Sequence, residues 1–297
     1  MSIPAPVSAR SSRVLVDPRS YQIAVLATLL AYGVAALGLP IRWPNVCAIL
    51  FGVQLAQLLG ARYIARIPFD PASALVTTLS LTLLLRSDSP VLAMLAGTIA
   101  IGSKFLIRVR GKHVFNPSNF ALVATTLASD HAWLASGQWG GATIGALALA
   151  GLGFLVLTRA RRAETTIAFL VAFAVLLAVR AAWLEDPLVI PLHQLQNGAL
   201  LIFAFFMISD PKSTPDSRFG RILFGTVVAA VAFVIQFVLY EPDGPIFALI
   251  LSAPIVPLLD FFSRGANYSW NMPAGYLAGK SKGVYRCESS SLRSSRS

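Results

Sequence analysis

Long apolar runs alternate with short polar segments along most of this chain. A helix needs roughly 20 apolar residues to cross the hydrocarbon layer of a bilayer, and many of the runs approach that length. The pattern predicts an all-α, polytopic integral membrane protein with about ten transmembrane helices. The predicted helices are Tyr21–Leu39, Trp43–Gly60, Pro71–Leu85, Pro90–Ile107, Pro117–Ala128, Trp139–Thr158, Glu164–Leu184, Leu195–Ile208, Phe219–Tyr240 and Pro245–Phe262.

Three of these runs are too short for a simple crossing: Pro71–Leu85, Pro117–Ala128 and Leu195–Ile208. Short or broken helices occur at membrane depth only where other protein or a water-filled cavity satisfies their backbone groups. We therefore expect a binding site where the ends of these helices meet. Residues 73–88 also resemble residues 197–210, either through an internal duplication or through the general similarity of apolar segments.

The charged residues lie mostly between the apolar runs. The chain is 56% hydrophobic and 12% charged, with a formal net charge of +11. A basic balance can indicate nucleic-acid binding, but these Lys and Arg residues do not form a mixed aromatic and basic face, so we expect contact with membrane lipid and no nucleic acid.

The basic loops alternate with loops that are nearly free of Lys and Arg. This alternation predicts a multi-pass protein of the cell (inner or plasma) membrane with both termini cytoplasmic. It divides the chain into a cytoplasmic N-terminal segment at 1–20, a transmembrane domain at 21–264 and a disordered cytoplasmic tail at 265–297.

Few residues have the spacing that catalysis or metal binding requires. Cys47 and Cys287 lie far apart, and the three histidines are scattered, so we expect no metal site. No nucleophile and base pair, Gly-rich phosphate loop or carboxylate pair stands out, and we expect no catalytic residues. Within the apolar runs, Lys104 is expected to extend to the membrane interface and Gln57 to face the helix bundle.

Two loops carry candidate binding residues. Asn116-Pro117 has the form of a capped helix start, and with Lys112 and His113 nearby it is a candidate seat for an anionic group such as a flavin phosphate. Ser209-Asp210-Pro211 is either a plain helix stop or, together with Asp216, a polar rim at the mouth of a cavity.

The same loops carry a family resemblance. Ser-Asp-Pro at 209–211, the helix start at Gly220–Gly225, Pro-Asp-Gly at 242–244 and Val-Pro-Leu-Leu-Asp at 256–260 occur together, after Gly-Lys-His-Val-Phe-Asn-Pro at 111–117. This combination resembles the NqrB/RnfD family, the membrane subunits of the sodium-pumping NADH:quinone reductase and of the Rnf electron-transport complexes. The resemblance covers roughly Phe69 to Arg264, and it is closer still to the RnfD-like proteins of enediyne biosynthetic clusters.

The resemblance implies a flavin cofactor. Family members hold FMN as a phosphoester on a Thr in a long extracytoplasmic loop. Here the matching connection, Ser129–Gln138, is very short, and the candidate attachment residue is Thr143 in Gly140-Gly141-Ala142-Thr143, which also fits a helix start made of small residues. A noncovalently held FMN or riboflavin is therefore the favoured form. The candidate cofactor-binding residues are Lys112, His113, Phe115, Asn116, Pro117, Thr143, Ser209, Asp210, Pro211, Asp216, Asp243 and Gly244.

The resemblance also implies the function. It indicates a membrane subunit for flavin-linked electron transport coupled to transmembrane transport, at most a non-autonomous part of an oxidoreductase or translocase complex with other subunits as partners. The alternative is a flavin-free transporter or exporter, or an accessory membrane protein with biosynthetic partners in enediyne biosynthesis. The short connection at Ser129–Gln138 favours that alternative.

Overall fold

The computed structural model describes residues 18–139, 163–263 and 265 of the chain. The predicted span Trp139–Thr158, the predicted N-terminal segment and the predicted tail lie almost wholly outside these residues, so the three-part division of the chain stays a prediction. The described helices are α1 (Pro18–Ala35), α2 (Trp43–Leu59), α3 (Pro71–Leu84), α4 (Pro90–Leu106), α5 (Pro117–Ala128), α6 (Ala163–Leu184), α7 (Val189–Leu195), α8 (Gly198–Ile202), α9 (Arg218–Phe237), α10 (Gly244–Ser252) and α11 (Ile255–Phe262).

The all-α prediction is confirmed. The only strands in the described part of the chain are β1 (Leu85–Ser87), β2 (Arg108–Val109), β3 (Lys112–His113) and β4 (Ala132–Leu134). They form two small antiparallel pairs, with Arg86 opposite Trp133 in one and Arg108 opposite His113 in the other. Both pairs tie loops together at the ends of helices.

The predicted count of ten spans is not reached in the described residues. Three helices are long and apolar enough to cross a membrane: α2 with the π-helical segment Gly60–Ala65 that continues it, α6 and α9. The count rises to five if each of two bent helix pairs is one span. The helices α3, α4 and α5 have 14, 17 and 12 residues, fewer than the roughly 20 of a full crossing. The predicted shortness of α3 and α5 is therefore confirmed. The count is lower because of α3, α4 and α5, because α1 is not among the candidate spans, and because the predicted span Trp139–Thr158 lies outside the described residues.

The last predicted span is broken and not continuous. Helices α10 and α11 are bent by 49° relative to each other. Pro254 lies at the break and Pro257 in the first turn of α11, and a proline removes a backbone donor and clashes with the preceding turn. The same bend of 49° separates α7 from α8, where only one helix was predicted.

Helix α8 is buried along its whole length. It continues into a π-helical turn at Phe203–Met207, and every residue from Ala199 to Ile208 is at most 7% exposed. The Thr166 hydroxyl donates to the carbonyl of Ala204 at 2.6 Å and so gives that turn a partner from α6. A short helix of this kind is stable because it is enclosed by protein.

The short helices begin with side-chain caps. The side chains of Asp70, Asn116 and Asn197 accept hydrogen bonds from the first-turn N–H groups of α3, α5 and α8. Such caps satisfy donors that have no partner within the helix, which lipid could not supply.

Close helix packing depends on glycines in both halves of the chain. A Cβ atom added at Gly97 of α4 would lie 2.8 Å from the carbonyl oxygen of Ile49 in α2. One added at Gly225 of α9 would lie 2.5 Å from the carbonyl oxygen of Thr165 in α6. Small residues allow such close approach between helices in membranes. The two halves thus use the same packing device, while the internal duplication itself stays a prediction.

We expect Gly225→Ala to destabilise the protein by about 1–3 kcal/mol, because the new methyl group would force α9 away from α6. Thermal unfolding of the purified protein in detergent measures the change. Gly102→Ala is the matched control, since a Cβ at Gly102 of α4 meets nothing within 4 Å. Equal stability of the two variants would contradict the close packing of α6 and α9.

Candidate functional site

Three loop segments that are distant in sequence meet at the side chain of Lys112. Its Nζ atom donates to the carbonyl of Thr214 at 2.6 Å, to Asp216 Oδ1 at 3.1 Å and to Asp260 Oδ2 at 2.9 Å. The backbone N–H of Asp216 donates in turn to Asp260 Oδ1 at 2.7 Å. These contacts join the β2–β3 hairpin, the loop between α8 and α9, and the end of α11.

A second contact joins the same hairpin to the Ser-Asp-Pro loop. His113 Nε2 lies 3.3 Å from Asp210 Oδ2. Asp210 also accepts hydrogen bonds from the backbone N–H of Lys212 and from the Ser213 hydroxyl. Burial by itself would raise the pKa of Asp210, but the hydrogen bonds and the charge of its partners outweigh that effect and hold the pKa below its ordinary value. The carboxylate form of Asp210 is therefore the stable one.

A cavity of about 390 Å³, here called the Lys112 cavity, lies beside these contacts. Its walls combine apolar side chains such as Val109 and Val256 with three basic and two acidic residues. A cavity of this size and mixed character suits an organic ligand of moderate size. Lys112 contacts both acidic residues, and Arg110 and Lys212 are the other two basic residues of the wall.

The structure brings half of the predicted binding residues together. Lys112, His113, Pro211 and Asp216 line the Lys112 cavity. Asp210 joins them through its contact with His113, and the Ser209 hydroxyl donates to the carbonyl of Phe205 at 2.5 Å. The two loops therefore lie at the same end of the bundle. The role of these residues in cofactor binding stays a prediction.

The candidate anion seat at the start of α5 is filled by protein groups. Asn116 is buried, its Oδ1 accepts from the N–H of Asn119, and its Nδ2 donates to the carbonyl of Met207. Neither Asn116 nor its neighbours Phe115 and Pro117 line the Lys112 cavity. One first-turn N–H group that a phosphate could use, that of Asn119, is thus engaged by the Asn116 side chain.

Two further predicted residues lie elsewhere. Asp243 begins α10, and its side chain lines a separate cavity of about 70 Å³; Gly244 packs closely against the carbonyl of Ala232 in α9. Thr143 lies outside the described residues.

Sequence reasoning missed some residues of this region. Asp260 belongs to the Val-Pro-Leu-Leu-Asp motif at 256–260, so the motif was visible although its contact with Lys112 was not. Lys104 was expected to extend to the interface, and this is wrong: its Nζ atom turns inward and donates to Gln57 Oε1 at 3.0 Å and to Ser73 Oγ at 2.8 Å. The inward position of Gln57 is confirmed, because its side chain is fully buried.

A buried arginine was also not anticipated. Arg86 in β1 donates to Gln138 Oε1 at 3.0 Å and to the carbonyl of Thr82 at 2.9 Å, and it lines a third cavity of about 210 Å³. Burial lowers the pKa of Arg86 to about 10. Its partners among the described residues are neutral oxygens, so its charge is solvated by the fold and not by a carboxylate.

Comparison with known proteins finds relatives for the second half of the chain. Residues 130–269 match the family described as NQR2, RnfD, RnfE. A Citrobacter koseri protein, named as a subunit of the ion-translocating oxidoreductase complex, is 31% identical over 137 residues, which is 46% of this chain and 35% of that protein. Proteins of the same name from Escherichia coli O1:K1 and K12 are 32% identical over 139 residues, with the same coverage. The match therefore spans about a third of the length of these relatives.

Removal of the Lys112 charge should destabilise the junction of the three loops. We expect Lys112→Met to lower the free energy of unfolding by about 1–3 kcal/mol, because Asp216 and Asp260 would be left side by side without their shared cation. Thermal unfolding at neutral pH measures the loss. The double variant Lys112→Met with Asp260→Asn should recover part of it, and a loss that the second change leaves untouched would contradict the charge argument.

The lowered pKa of Asp210 predicts a pH dependence of stability. A carboxylate with a depressed pKa in the folded protein contributes stability that is complete above its unfolded pKa and is lost as the pH falls through the folded pKa. Asp210→Asn should therefore flatten the acid limb of the stability curve, measured by thermal unfolding across the acid range. An unchanged acid limb would show that Asp210 does not contribute to it.

Proposed function

We propose that this chain, whose residues 130–269 belong to the NQR2, RnfD, RnfE family, is a membrane subunit of an electron-transport complex coupled to ion translocation. It is a multi-pass membrane protein. The names of its relatives support the proposal, since each is called a subunit of an ion-translocating oxidoreductase complex. Other subunits of such a complex are its proposed partners.

The Lys112 cavity is the observation that gives this proposal a binding site. It lies where the Ser-Asp-Pro loop and the end of α11, both within the family match, meet the β2–β3 hairpin. Its volume of about 390 Å³ and its apolar and polar walls fit an isoalloxazine ring. We assign to it the flavin that the family resemblance implies. A bound flavin would supply the electron-transfer chemistry, and the protein would supply orientation and electrostatics.

The charge distribution favours an uncharged part of the flavin beside Lys112. Lys112 is engaged by Asp216 and Asp260, and the start of α5 is capped by Asn116. A phosphate next to Lys112 would meet these two carboxylates, whereas Arg110 and Lys212 are the other basic residues of the wall. Riboflavin, or an FMN whose phosphate lies away from Lys112, fits this arrangement better than an FMN whose phosphate contacts Lys112.

The orientation of the chain is also part of the proposal. The loops around the Lys112 cavity carry Arg108, Arg110, Lys212 and Arg218, and the opposite ends of the helices carry few basic residues. The positive-inside rule then assigns the cavity to the cytoplasmic side of the cell membrane, with both termini on the same side.

The relation to enediyne biosynthesis and the flavin-free exporter remain predictions from the sequence alone. These alternatives differ from the present proposal in whether a cofactor is needed, because an exporter or an accessory membrane protein needs no redox group. A preparation that releases no flavin would support that alternative.

We expect the full-length protein, purified from membranes, to release flavin on denaturation, as measured by fluorescence. Val109→Trp should lower the flavin content severalfold, because Val109 lines the Lys112 cavity and the larger side chain would fill it. Val171→Trp is the matched control, since Val171 lies on the exposed face of α6 and lines none of the three cavities. A wild-type protein without flavin, or equal losses in both variants, would overturn the assignment.

A further inference from the structure

The cavity beside Arg86 lies at the opposite end of the bundle from the Lys112 cavity. Here called the Arg86 cavity, it has a volume of about 210 Å³ and is lined by the start of α2, the end of α3 with β1, and part of β4. Asp88, which lines it, comes directly before the start of α4, whereas the β2–β3 hairpin of the Lys112 cavity follows the end of α4. The two cavities are therefore separated by the length of α4.

The guanidinium of Arg86 is a buried cation that has no acidic partner among the described residues. Arg86 is 7% exposed, and its Nε and Nη1 atoms donate only to neutral oxygens, those of the Gln138 side chain and of the Thr82 and Leu85 carbonyls. The two carbonyls lie at the end of α3, where the helix dipole supplies about half a negative charge. The rest of the arginine charge has no such compensation, and a buried charge without a counter-charge is costly.

The other arginines near this end of the bundle differ from Arg86 in having a carboxylate close by. Arg180 lies 3.5 Å from Asp186, and Arg42 lies 3.7 Å from Asp88. Their charges are therefore at least partly balanced by the fold. Arg86 is the arginine for which a negative group from outside the described residues would make the largest difference.

The walls of the Arg86 cavity carry a net positive charge. Arg42, Arg86 and Asp88 are its ionisable side chains among the described residues, which leaves one positive charge in excess. The Arg42 side chain is 58% exposed, so its guanidinium can contact a bound group directly, and Arg86 adds its charge from within the wall. These charges favour a ligand with a single negative charge.

The remaining walls are apolar and reach the lipid-facing surface. Trp133 lines the cavity and is 44% exposed, and Trp43 at the start of α2 is 58% exposed. Exposed tryptophans are typical of the boundary between membrane and water. Val46 of α2 also lines the cavity, and the exposed Leu50 follows one turn further on the same face of this candidate span.

We propose that the Arg86 cavity binds the phosphate group of a membrane phospholipid, with the acyl chains along the exposed face of α2. A phosphate diester carries one negative charge, and arginine is well suited to phosphate because its guanidinium offers several donors in one plane. Basic pockets between membrane helices are known to hold lipid head groups.

The size of the cavity agrees with a head group. Cofactor pockets usually have about 300–1,000 Å³, so about 210 Å³ is small for a whole flavin but sufficient for a phosphate with its glycerol. The long apolar part of a lipid needs no enclosed space, because it can remain in the bilayer. The proposal is thus independent of the flavin and of the electron transport proposed above.

The test is thermal unfolding of the delipidated full-length protein in detergent, with phosphatidylglycerol, diacylglycerol of the same acyl chains, or inorganic phosphate added. We expect phosphatidylglycerol to raise Tm by about 2–5 °C at about ten times its dissociation constant. Diacylglycerol lacks the phosphate, and inorganic phosphate lacks the chains, so each should have little effect.

Three variants test whether this response comes from the Arg86 cavity. Arg86→Gln should abolish it, because the buried charge is removed. Arg42→Gln should weaken it severalfold and changes an exposed side chain, so it keeps the test decisive even if Arg86→Gln folds poorly. Arg180→Gln is the matched control, since Arg180 also lies toward this end of the bundle but lines none of the three cavities. It should respond as the wild type does.

The outcomes that contradict the proposal are distinct. If diacylglycerol stabilises the wild type as well as phosphatidylglycerol does, the phosphate is not recognised. An equal response to inorganic phosphate would assign the cavity to a free anion and not to a lipid. If the wild type does not respond to phosphatidylglycerol, or if the arginine variants at positions 42 and 86 respond as it does, the cavity binds no lipid phosphate and the proposal is overturned.

Discussion

The whole arrangement depends on one constraint: within a bilayer, a backbone N–H or C=O group must find its partner in the protein. Short and broken helices multiply the ends at which such groups are left over. The chain satisfies them with side chains, through the caps of Asp70, Asn116 and Asn197 and through the Thr166 hydroxyl at the π-helical turn after α8. The caps come from the residue before each helix, but Thr166 lies in α6 and Asn116 also donates to the carbonyl of Met207, so these two contacts tie distant parts of the chain together.

The Lys112 cavity is a product of that constraint. Asn116 caps α5 and reaches the carbonyl of Met207, so the start of α5 and the end of the α8 turn must lie side by side. This contact brings the hairpin with Lys112 and His113 against the loop with Asp210. The ionic contacts of Lys112 with Asp216 and Asp260 then hold the hairpin, the loop between α8 and α9, and the end of α11 together. The two carboxylates on the cavity wall are thus both paired with Lys112.

The two ends of the bundle differ in how their polar groups are used. At the Lys112 cavity the carboxylates have cationic or N–H partners, and such a site suits a ligand held by shape and neutral polar groups. At the other end, Asp243 Oδ1 and Gln194 Oε1 are buried without a hydrogen-bond donor among the described residues.

The sequence alone determined the helical class, the short runs at α3, α5 and α8, and the motifs that line the Lys112 cavity, because each follows from local composition and spacing. It did not determine that α10 and α11 are separated by a bend, that Lys104 turns inward, or that Asp260 contacts Lys112. A proline in an apolar run shows where a helix is easily broken. It does not show whether neighbouring helices support a continuous span at that point. A lysine near a helix end can reach water or a buried oxygen with equal ease, and only the packing of α2 and α3 around it decides which. Tertiary structure was needed because these outcomes depend on partners that are 31 to 148 residues away.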